Sequence, residues 1–157
     1  MAQQNKINSK IFDTKIDTSS FYPEDFFFLA EPRYEREIQR LAVDYFRRFV
    51  EPLVKKECRL IVNPFSNKRF AVKYMNQALE EGFGKWQPDL LFVYKNVEWK
   101  SGLALELKTI NRQGKKMSKH EKDQSLFLEV LEKSNFTTSF CYGLKDTLTK
   151  INDYFKK

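Results

Sequence analysis

Apolar and polar residues alternate most clearly between Pro88 and Thr109. Two apolar runs, 88–94 and 103–109, are joined by a short polar connection, a pattern that predicts a β-hairpin. In the second run three leucines fall on one face, whereas Glu106 and Lys108 fall on the other, because side chains alternate along a strand. Asp89 opens the first run, so the hairpin is expected to bring a second carboxylate beside Glu106.

Helical spacing predicts two helices before this hairpin. Glu31-Pro32 is a plausible helix start, and apolar residues recur at helical spacing from Ile38 to Phe49, which predicts a first helix from residue 31 to about residue 50. A second helix is expected over 69–81, with Gly82 ending it. The apolar run 58–62 between them predicts a short strand.

The segment after the hairpin predicts two more helices and a strand. Ser118 and Glu121 have the spacing of a capping box, which indicates a helix start. Residues 137–142 form a strand pattern, and 144–155 form a last amphipathic helix. The expected apolar face of the helix after Ser118 is Leu126, Phe127, Val130 and Leu131. The order of elements predicts an α/β domain with a small mixed sheet covered by helices.

The N-terminal region divides from the rest of the chain at about residue 30. Residues 1–20 are polar and predict a loosely docked arm. The segment Phe21–Leu29 contains many aromatic residues, which favours packing across the domain or a subunit partner over base stacking on DNA. We therefore expect an arm with an aromatic docking segment over 1–30 and a folded domain over 31–157.

The composition suits one basic domain. The chain has 157 residues, a formal net charge of +7 and a pI of about 9.3. Such a charge favours a polyanionic partner, although a merely basic soluble protein has the same signature. Cys58 and Cys141 predict buried free thiols in a reducing compartment, and the single His120 is expected in solvent. No signal peptide or membrane span is expected, so the predicted location is intracellular.

The hairpin carries the candidate chemistry. Asp89, Glu106 and Lys108 together form a site suited to a hard divalent cation, because carboxylate oxygens are the ligands that Mg²⁺ prefers. A lysine beside such a cation can orient or deprotonate an attacking water, or stabilise charge building on a phosphate. The alternative is a strand that carries an ordinary cross-strand salt bridge.

Polar residues elsewhere are candidates for supporting this site. Glu35 and Gln39 share a helix face, which either reaches the site or is solvated. Gln124, on the helix after Ser118, faces either the site or solvent. The basic residues that suit nucleic-acid phosphates, or equally solvent, are Lys68, Arg69, Lys73, Arg112, Lys115 and Lys116.

These residues, taken in order, resemble the VRR-NUC (virus-type replication and repair nuclease) branch of the PD-(D/E)XK nuclease superfamily. Pro88-Asp89 followed by Glu106-Leu107-Lys108 is similar to the superfamily motif. The resemblance covers about residues 31–155. The other matching positions are Glu35, Ile38-Gln39, Asn67-Lys68-Arg69, Gly82, Gln124 and Phe127. The family often has a glycine two residues before Pro-Asp, where this chain has Trp86.

The resemblance implies a role for each matched residue. Asp89, Glu106 and the backbone carbonyl of Leu107 would hold Mg²⁺ or Mn²⁺, and Lys108 would be the catalytic lysine. Glu35 would complete the acidic set through a water molecule, with Glu37 as the alternative because the helix phase is not fixed by sequence. Gln124 would support the site, and Gln39 would join the basic residues named above in contacting nucleic acid.

The resemblance also implies a fold and an activity. The fold would be a restriction-endonuclease-like core, and the activity that of a metal-dependent, structure-specific endodeoxyribonuclease similar to Holliday junction resolvases. Such enzymes act as homodimers on branched DNA in repair and recombination, and viral or phage origin suits the family. The alternatives are a flap, nicking or restriction-type nuclease, or a non-catalytic nucleic-acid-binding module.

Overall fold

A four-stranded mixed sheet forms the centre of the fold. The computed structural model describes residues 16–54, 57–63 and 87–156. Within them the strands lie in the order β1-β2-β3-β4, with the β1–β2 and β2–β3 pairs antiparallel and the β3–β4 pair parallel. Their bounds are β1 Arg59–Val62, β2 Leu90–Val93, β3 Gly102–Lys108 and β4 Phe136–Tyr142. The predicted hairpin is β2–β3, and the predicted α/β class is confirmed.

Helices flank this sheet. They are α1 Asp25–Phe28, α2 Glu35–Tyr45, α3 Lys119–Lys133 and α4 Leu144–Phe155. A π-helical turn, Phe46–Val50, continues α2, so the helix ends where the sequence pattern predicted. Short 3-10 turns cover Glu51–Leu53 and Ile110–Arg112. None of the helices in the described ranges is both long enough and apolar enough to cross a lipid bilayer.

Some predictions concern residues outside the described ranges. The helix expected over 69–81 lies there, as do the predicted phosphate contacts Lys68, Arg69 and Lys73. The motif positions Asn67, Gly82 and Trp86 also lie there, with residues 1–15 of the predicted arm.

The central strand β3 is buried along its whole length. Leu103, Leu105 and Leu107 point into the main core, as the alternation predicted, and each is at most 1% exposed. That core also contains Ile38 and Leu41 of α2 and Leu148 and Ile151 of α4. The opposite face of β3 carries Ala104, Glu106 and Lys108. The same burial that stabilises the sheet therefore places two charged groups in the interior.

The aromatic segment before α2 packs onto the domain itself. The ring of Phe26 is fully buried and makes edge-to-face contacts with Phe21, Tyr45 and Phe49, with ring centroids 5.4 to 5.9 Å apart. Phe28 is 85% exposed, so the segment docks mainly through Phe26.

Helix α2 begins at Glu35, four residues later than predicted, because Glu31 caps another helix instead of starting this one. Its carboxylate accepts hydrogen bonds from the backbone N–H groups of Leu144, at 2.6 Å, and Lys145, at 3.3 Å. These groups open α4 and have no partner within their own helix. Gly143 precedes them with a φ of 88°, and a Cβ there would lie 2.5 Å from a Glu31 oxygen. Glu31 therefore caps α4 from a distance in the sequence.

The inward face of α3 differs from the predicted one. Leu126 and Val130 are 60% and 57% exposed, whereas Glu121, Gln124 and Leu128 are buried. The expected face was wrong for Leu126 and Val130, whereas Phe127 and Leu131 are half-buried. The buried face is shifted because Glu121 and Gln124 make hydrogen bonds in the interior. The predicted capping box is present, since Ser118 and Glu121 each accept a bond from the backbone N–H of the other.

Removal of the Glu31 cap is expected to destabilise the fold. Glu31→Ala should lower the free energy of unfolding by about 1 kcal/mol, as is typical for loss of an N-terminal helix cap. Urea denaturation followed by circular dichroism measures this change. Glu129→Ala, at an exposed α3 position, is the matched control and should stay within about 0.5 kcal/mol of wild type. Equal stability of the two variants would contradict the capping role.

Candidate active site

The register of the hairpin brings Asp89 and Glu106 together. Leu90 pairs with Leu105 across β2 and β3, so Asp89, which precedes β2, lies beside Glu106. The backbone N–H of Leu107 donates to Asp89 Oδ2 at 2.7 Å, which fixes this carboxylate against β3. The two carboxyl groups therefore lie close enough to influence the pKa of Glu106.

Two further side chains converge on Glu106. Lys108 Nζ donates to Glu106 Oε1 at 2.9 Å, and the side-chain amide of Gln124 donates to the same oxygen. All four side chains lie in the interior, with Glu106 2%, Lys108 5%, Asp89 7% and Gln124 8% exposed. The structure therefore brings together four of the predicted site residues, from β3, from the residue before β2 and from α3.

Burial gives this cluster unusual protonation behaviour. Loss of hydration raises the pKa of Asp89, against the opposing effect of the Leu107 N–H. Burial and the neighbouring Asp89 charge raise the pKa of Glu106 to about 8. Burial disfavours the charge of Lys108, but the carboxylates around it, that of Glu106 foremost, together outweigh burial and raise the pKa of the lysine. Two carboxylates held this close therefore need positive charge or a proton between them.

Gln39 supports the backbone that carries Asp89. Its side-chain amide donates to the carbonyl oxygens of Asp89, at 3.1 Å, and Asn63, at 3.2 Å. The Asn63 N–H donates to the same Asp89 carbonyl at 3.0 Å. These contacts tie α2 and the end of β1 to the start of β2. Gln39 is thus a positioning residue, while its predicted contact with nucleic acid stays a prediction.

Glu35 lies at the start of α2, on the side of the site. Its charge favours the protonated forms of Lys108 and Arg112, and so helps to raise the pKa of each. Sequence left Glu35 and Glu37 as alternatives for a third acidic residue. The α2 carboxylate that acts on Lys108 is that of Glu35.

Arg112 is tied to its own loop. Its Nε donates to Glu121 Oε1 at 3.1 Å, its Nη2 contacts Glu121 Oε2, and its Nη2 also donates to the Lys116 carbonyl at 3.2 Å. The guanidinium lowers the pKa of Glu121 to about 2. This pair fastens the loop after β3 to the start of α3, while the side chains of Lys115 and Lys116 remain exposed.

Three residues near the site were missed by sequence reasoning. The parallel β3–β4 pairing places Tyr142 beside Lys108, and the ring centroid of Phe140 lies 5.9 Å from Lys108 Nζ. His120 is exposed, as expected. It nevertheless acts on the site, because its interaction with Asp89 opposes part of the rise that burial causes in the pKa of that carboxyl group. The spacing of His120 and Gln124, one helical turn, could have indicated a shared face, whereas no sequence signal showed the parallel pairing.

The donor set fits a hard divalent cation that keeps part of its water shell. In the described ranges no three His, Cys, Asp or Glu side chains are close enough to form a metal-binding cluster. Mg²⁺ in phosphate chemistry needs only one or two carboxylates, and here two lie side by side in the interior. The buried Gln124 Oε1 has no hydrogen-bond partner, so it adds an oxygen that can accept from a metal-bound water.

Comparisons with known proteins bear on the fold. No family model and no curated protein matches the sequence. A solved structure described as a "VRR_NUC domain protein" is similar to this chain, with a TM-score of 0.54 and 18% sequence identity. The match covers 78% of this chain and 88% of that chain. The chain therefore has a VRR-NUC-like fold.

The raised pKa of Glu106 predicts how the stability of the protein depends on pH. With EDTA present, Glu106 of the folded protein should stay protonated up to its raised pKa of about 8, whereas in the unfolded chain it loses the proton near its ordinary pKa of 4.5. Between these two pH values the folded state therefore holds one proton more than the unfolded state. The free energy of unfolding should therefore fall as pH rises through this window, because the folded state binds more protons.

Urea denaturation at a series of pH values measures this effect. Glu106→Gln should flatten the fall, so the difference between wild type and variant isolates the contribution of Glu106. A wild-type stability that rises between pH 4.5 and 8 relative to the variant would show that Glu106 is ionised at neutral pH.

Proposed function

We propose that the chain is a metal-dependent endodeoxyribonuclease of the PD-(D/E)XK type that hydrolyses phosphodiester bonds. The observation that supports this most is the buried cluster of Asp89, Glu106 and Lys108, closed by Gln124. A purely structural salt bridge needs one carboxylate and one ammonium, whereas here a second carboxylate is buried against the first at a cost in free energy. The VRR-NUC-like fold supports the same conclusion by analogy.

The ligands of the cation would be Asp89, Glu106 and the backbone carbonyl of Leu107, with Glu35 acting through water. Mg²⁺ or Mn²⁺ bound there would polarise the scissile phosphate and lower the pKa of an attacking water. Leu107 N–H and Gln39 hold Asp89 in place. Gln124 fixes the orientation of Glu106 in the same way.

Lys108 would act on the reacting atoms. Its ammonium lies 2.9 Å from Glu106 Oε1, and the surrounding carboxylates keep it charged. A fixed positive charge at this point can orient the attacking water and stabilise the charge that develops on the phosphate. Arg112 and Glu121 would hold the loop from which the exposed Lys115 and Lys116 contact the DNA backbone.

Substitution of the cluster should abolish cleavage without loss of the fold. Asp89→Asn and Lys108→Ala are each expected to lower kcat at least about 100-fold, since the first removes a ligand of the cation and the second removes the charge that stabilises the phosphate. Cleavage of labelled DNA with Mg²⁺ or Mn²⁺ measures this. Lys122→Ala, at an exposed α3 position, is the control and should cleave like wild type. Cleavage that survives both active-site substitutions would place the reaction elsewhere.

The proposed substrate is branched DNA, with activity similar to that of a Holliday junction resolvase. The net charge of +7 favours a polyanion, and a small domain acting as a symmetric homodimer could cut two strands at a junction. The exposed Tyr22 and Phe28 of the aromatic segment are the surface proposed for the second copy. A protein that acts on DNA intermediates would be located inside the cell.

Comparison of substrates distinguishes the alternatives. Paired symmetric cuts in a four-way junction support the resolvase, whereas a preference for flaps, nicks or plain duplex indicates another nuclease type. Salt-sensitive binding without cleavage in either metal would contradict the nuclease and leave a nucleic-acid-binding module.

Metal binding should be visible without DNA. Mn²⁺ at 100 times its dissociation constant should raise the free energy of unfolding by about 2.7 kcal/mol, because it binds the folded state. The rise should disappear in Glu106→Gln. Asp153→Asn, at an exposed acidic position on α4, is the control and should keep it. An equal effect of Mn²⁺ on all three proteins would show that the ion acts on the surface instead.

A further inference from the structure

The turn between β2 and β3 holds a tryptophan in an unfavourable backbone conformation. Trp99 has a φ of 63°, in the left-handed region. Bulky residues rarely adopt this conformation, whereas Gly and Asn adopt it readily. A turn of this shape would be more stable with one of those residues, so the tryptophan side chain has a use other than forming the turn.

Hydrogen bonds fix this turn in one shape. Asn96 is buried, and its Oδ1 accepts from the N–H groups of Glu98, at 3.1 Å, and Lys100, at 3.0 Å. Trp99 N–H donates to the Asn96 carbonyl at 3.0 Å. From the end of α3, Asn135 Nδ2 donates to the Trp99 carbonyl at 2.7 Å. Asn135 itself has a φ of 68°, so the two contacting turns share the same rare conformation.

The ring held by this turn points into solvent. Trp99 is 70% exposed, and Lys95 Nζ lies 4.0 Å from its ring centroid. The ammonium covers one face of the ring, and so much exposure leaves the other face accessible. A rigid aromatic face with a cation beside it can stack a nucleobase while the cation attracts the adjoining phosphate.

The turn and the candidate active site lie at opposite ends of β3. Gly102 follows the turn and Lys108 belongs to the site, so six residues of extended strand separate them by about 20 Å. A DNA strand advances about 3.4 Å per nucleotide in a duplex, so the turn is about six nucleotides from the scissile phosphate. At that distance an aromatic face can contact a flanking arm of the substrate, not the cleaved nucleotide.

We propose that Trp99 is a binding site for an unpaired nucleobase of the DNA substrate. This inference rests on the proposed function, because it takes the substrate to be DNA with a branch or a single-stranded end. The cation beside the ring and the net positive charge of the chain favour a polyanion over a protein partner at this turn.

Substitution at Trp99 tests the site without threatening the fold. Trp99→Asn suits the left-handed conformation and should unfold at an equal or higher urea concentration than wild type. It should weaken binding to a duplex with a single-stranded tail by roughly 5- to 100-fold, the range for loss of one stacked base. Trp99→Phe keeps an aromatic face and should bind within about 5-fold of wild type. Val97→Ala, at a position 67% exposed in the same turn, should have no effect.

Binding is measured by fluorescence anisotropy in EDTA, where a metal-dependent nuclease does not cleave. A blunt duplex should bind wild type and Trp99→Asn equally. Equal binding of tailed DNA by these two proteins would overturn the proposal, and so would equal weakening on blunt and tailed DNA.

Tryptophan fluorescence gives a direct second test. The chain has two tryptophans, so Trp86→Phe leaves Trp99 as the only source of tryptophan fluorescence. Oligothymidylate should quench this emission and a blunt duplex should not, since only an unpaired base can stack on the ring. Absence of quenching by oligothymidylate would overturn the proposal.

The cleavage assay separates this inference from the proposed function. Quenching together with weaker binding by Trp99→Asn, in a protein that cleaves no DNA, supports the base-binding site and contradicts the nuclease. Cleavage by wild type with no effect of Trp99→Asn on tailed DNA leaves the nuclease intact and overturns the base-binding site.

Discussion

The contact between two buried carboxylates, Asp89 and Glu106, is the constraint on which the site depends. Each loses hydration at the base of the β2–β3 hairpin, which raises the pKa of both, and the charge of Asp89 makes ionisation of Glu106 still less favourable. Lys108 offsets only part of this cost, because one ammonium faces two carboxylates. A divalent cation would balance the remaining charge, and the arrangement therefore has a physical reason to bind one.

The rest of the structure holds this unfavourable pair in position. The β2–β3 register sets the separation, Gln39 anchors the Asp89 backbone, and Gln124 orients Glu106 from the opposite side of the sheet. Stability elsewhere, including the leucine face of β3, must exceed the cost of the site. The ion pair between Arg112 and Glu121 fastens the loop after β3, which carries the exposed Lys115 and Lys116, to the start of α3.

The sequence was sufficient to predict structural features that depend on residues close together in the chain. The alternation along β3 predicted its two faces, and the Ser118–Glu121 spacing predicted the start of α3. Features set by distant contacts were not visible: Glu31 caps a helix more than a hundred residues away, and parallel pairing brings Tyr142 to Lys108. The inward face of α3 was mispredicted because Gln124 is buried by a hydrogen bond, which apolar periodicity does not detect. Sequence predicted that Asp89 would lie beside Glu106, whereas the burial of these residues and their contacts with Lys108 and Gln124 came from the structure.

The most direct test of the central claim is anomalous diffraction from crystals of the protein soaked in Mn²⁺. We expect a manganese peak beside the carboxylates of Asp89 and Glu106, and no peak there in a Glu106→Gln crystal treated identically. A peak only at other residues, or no peak in wild-type crystals soaked at a high Mn²⁺ concentration, would show that Lys108 alone balances the charge of the two carboxylates. The cluster would then be a structural ion pair, and the proposal of metal-dependent hydrolysis would fail with it.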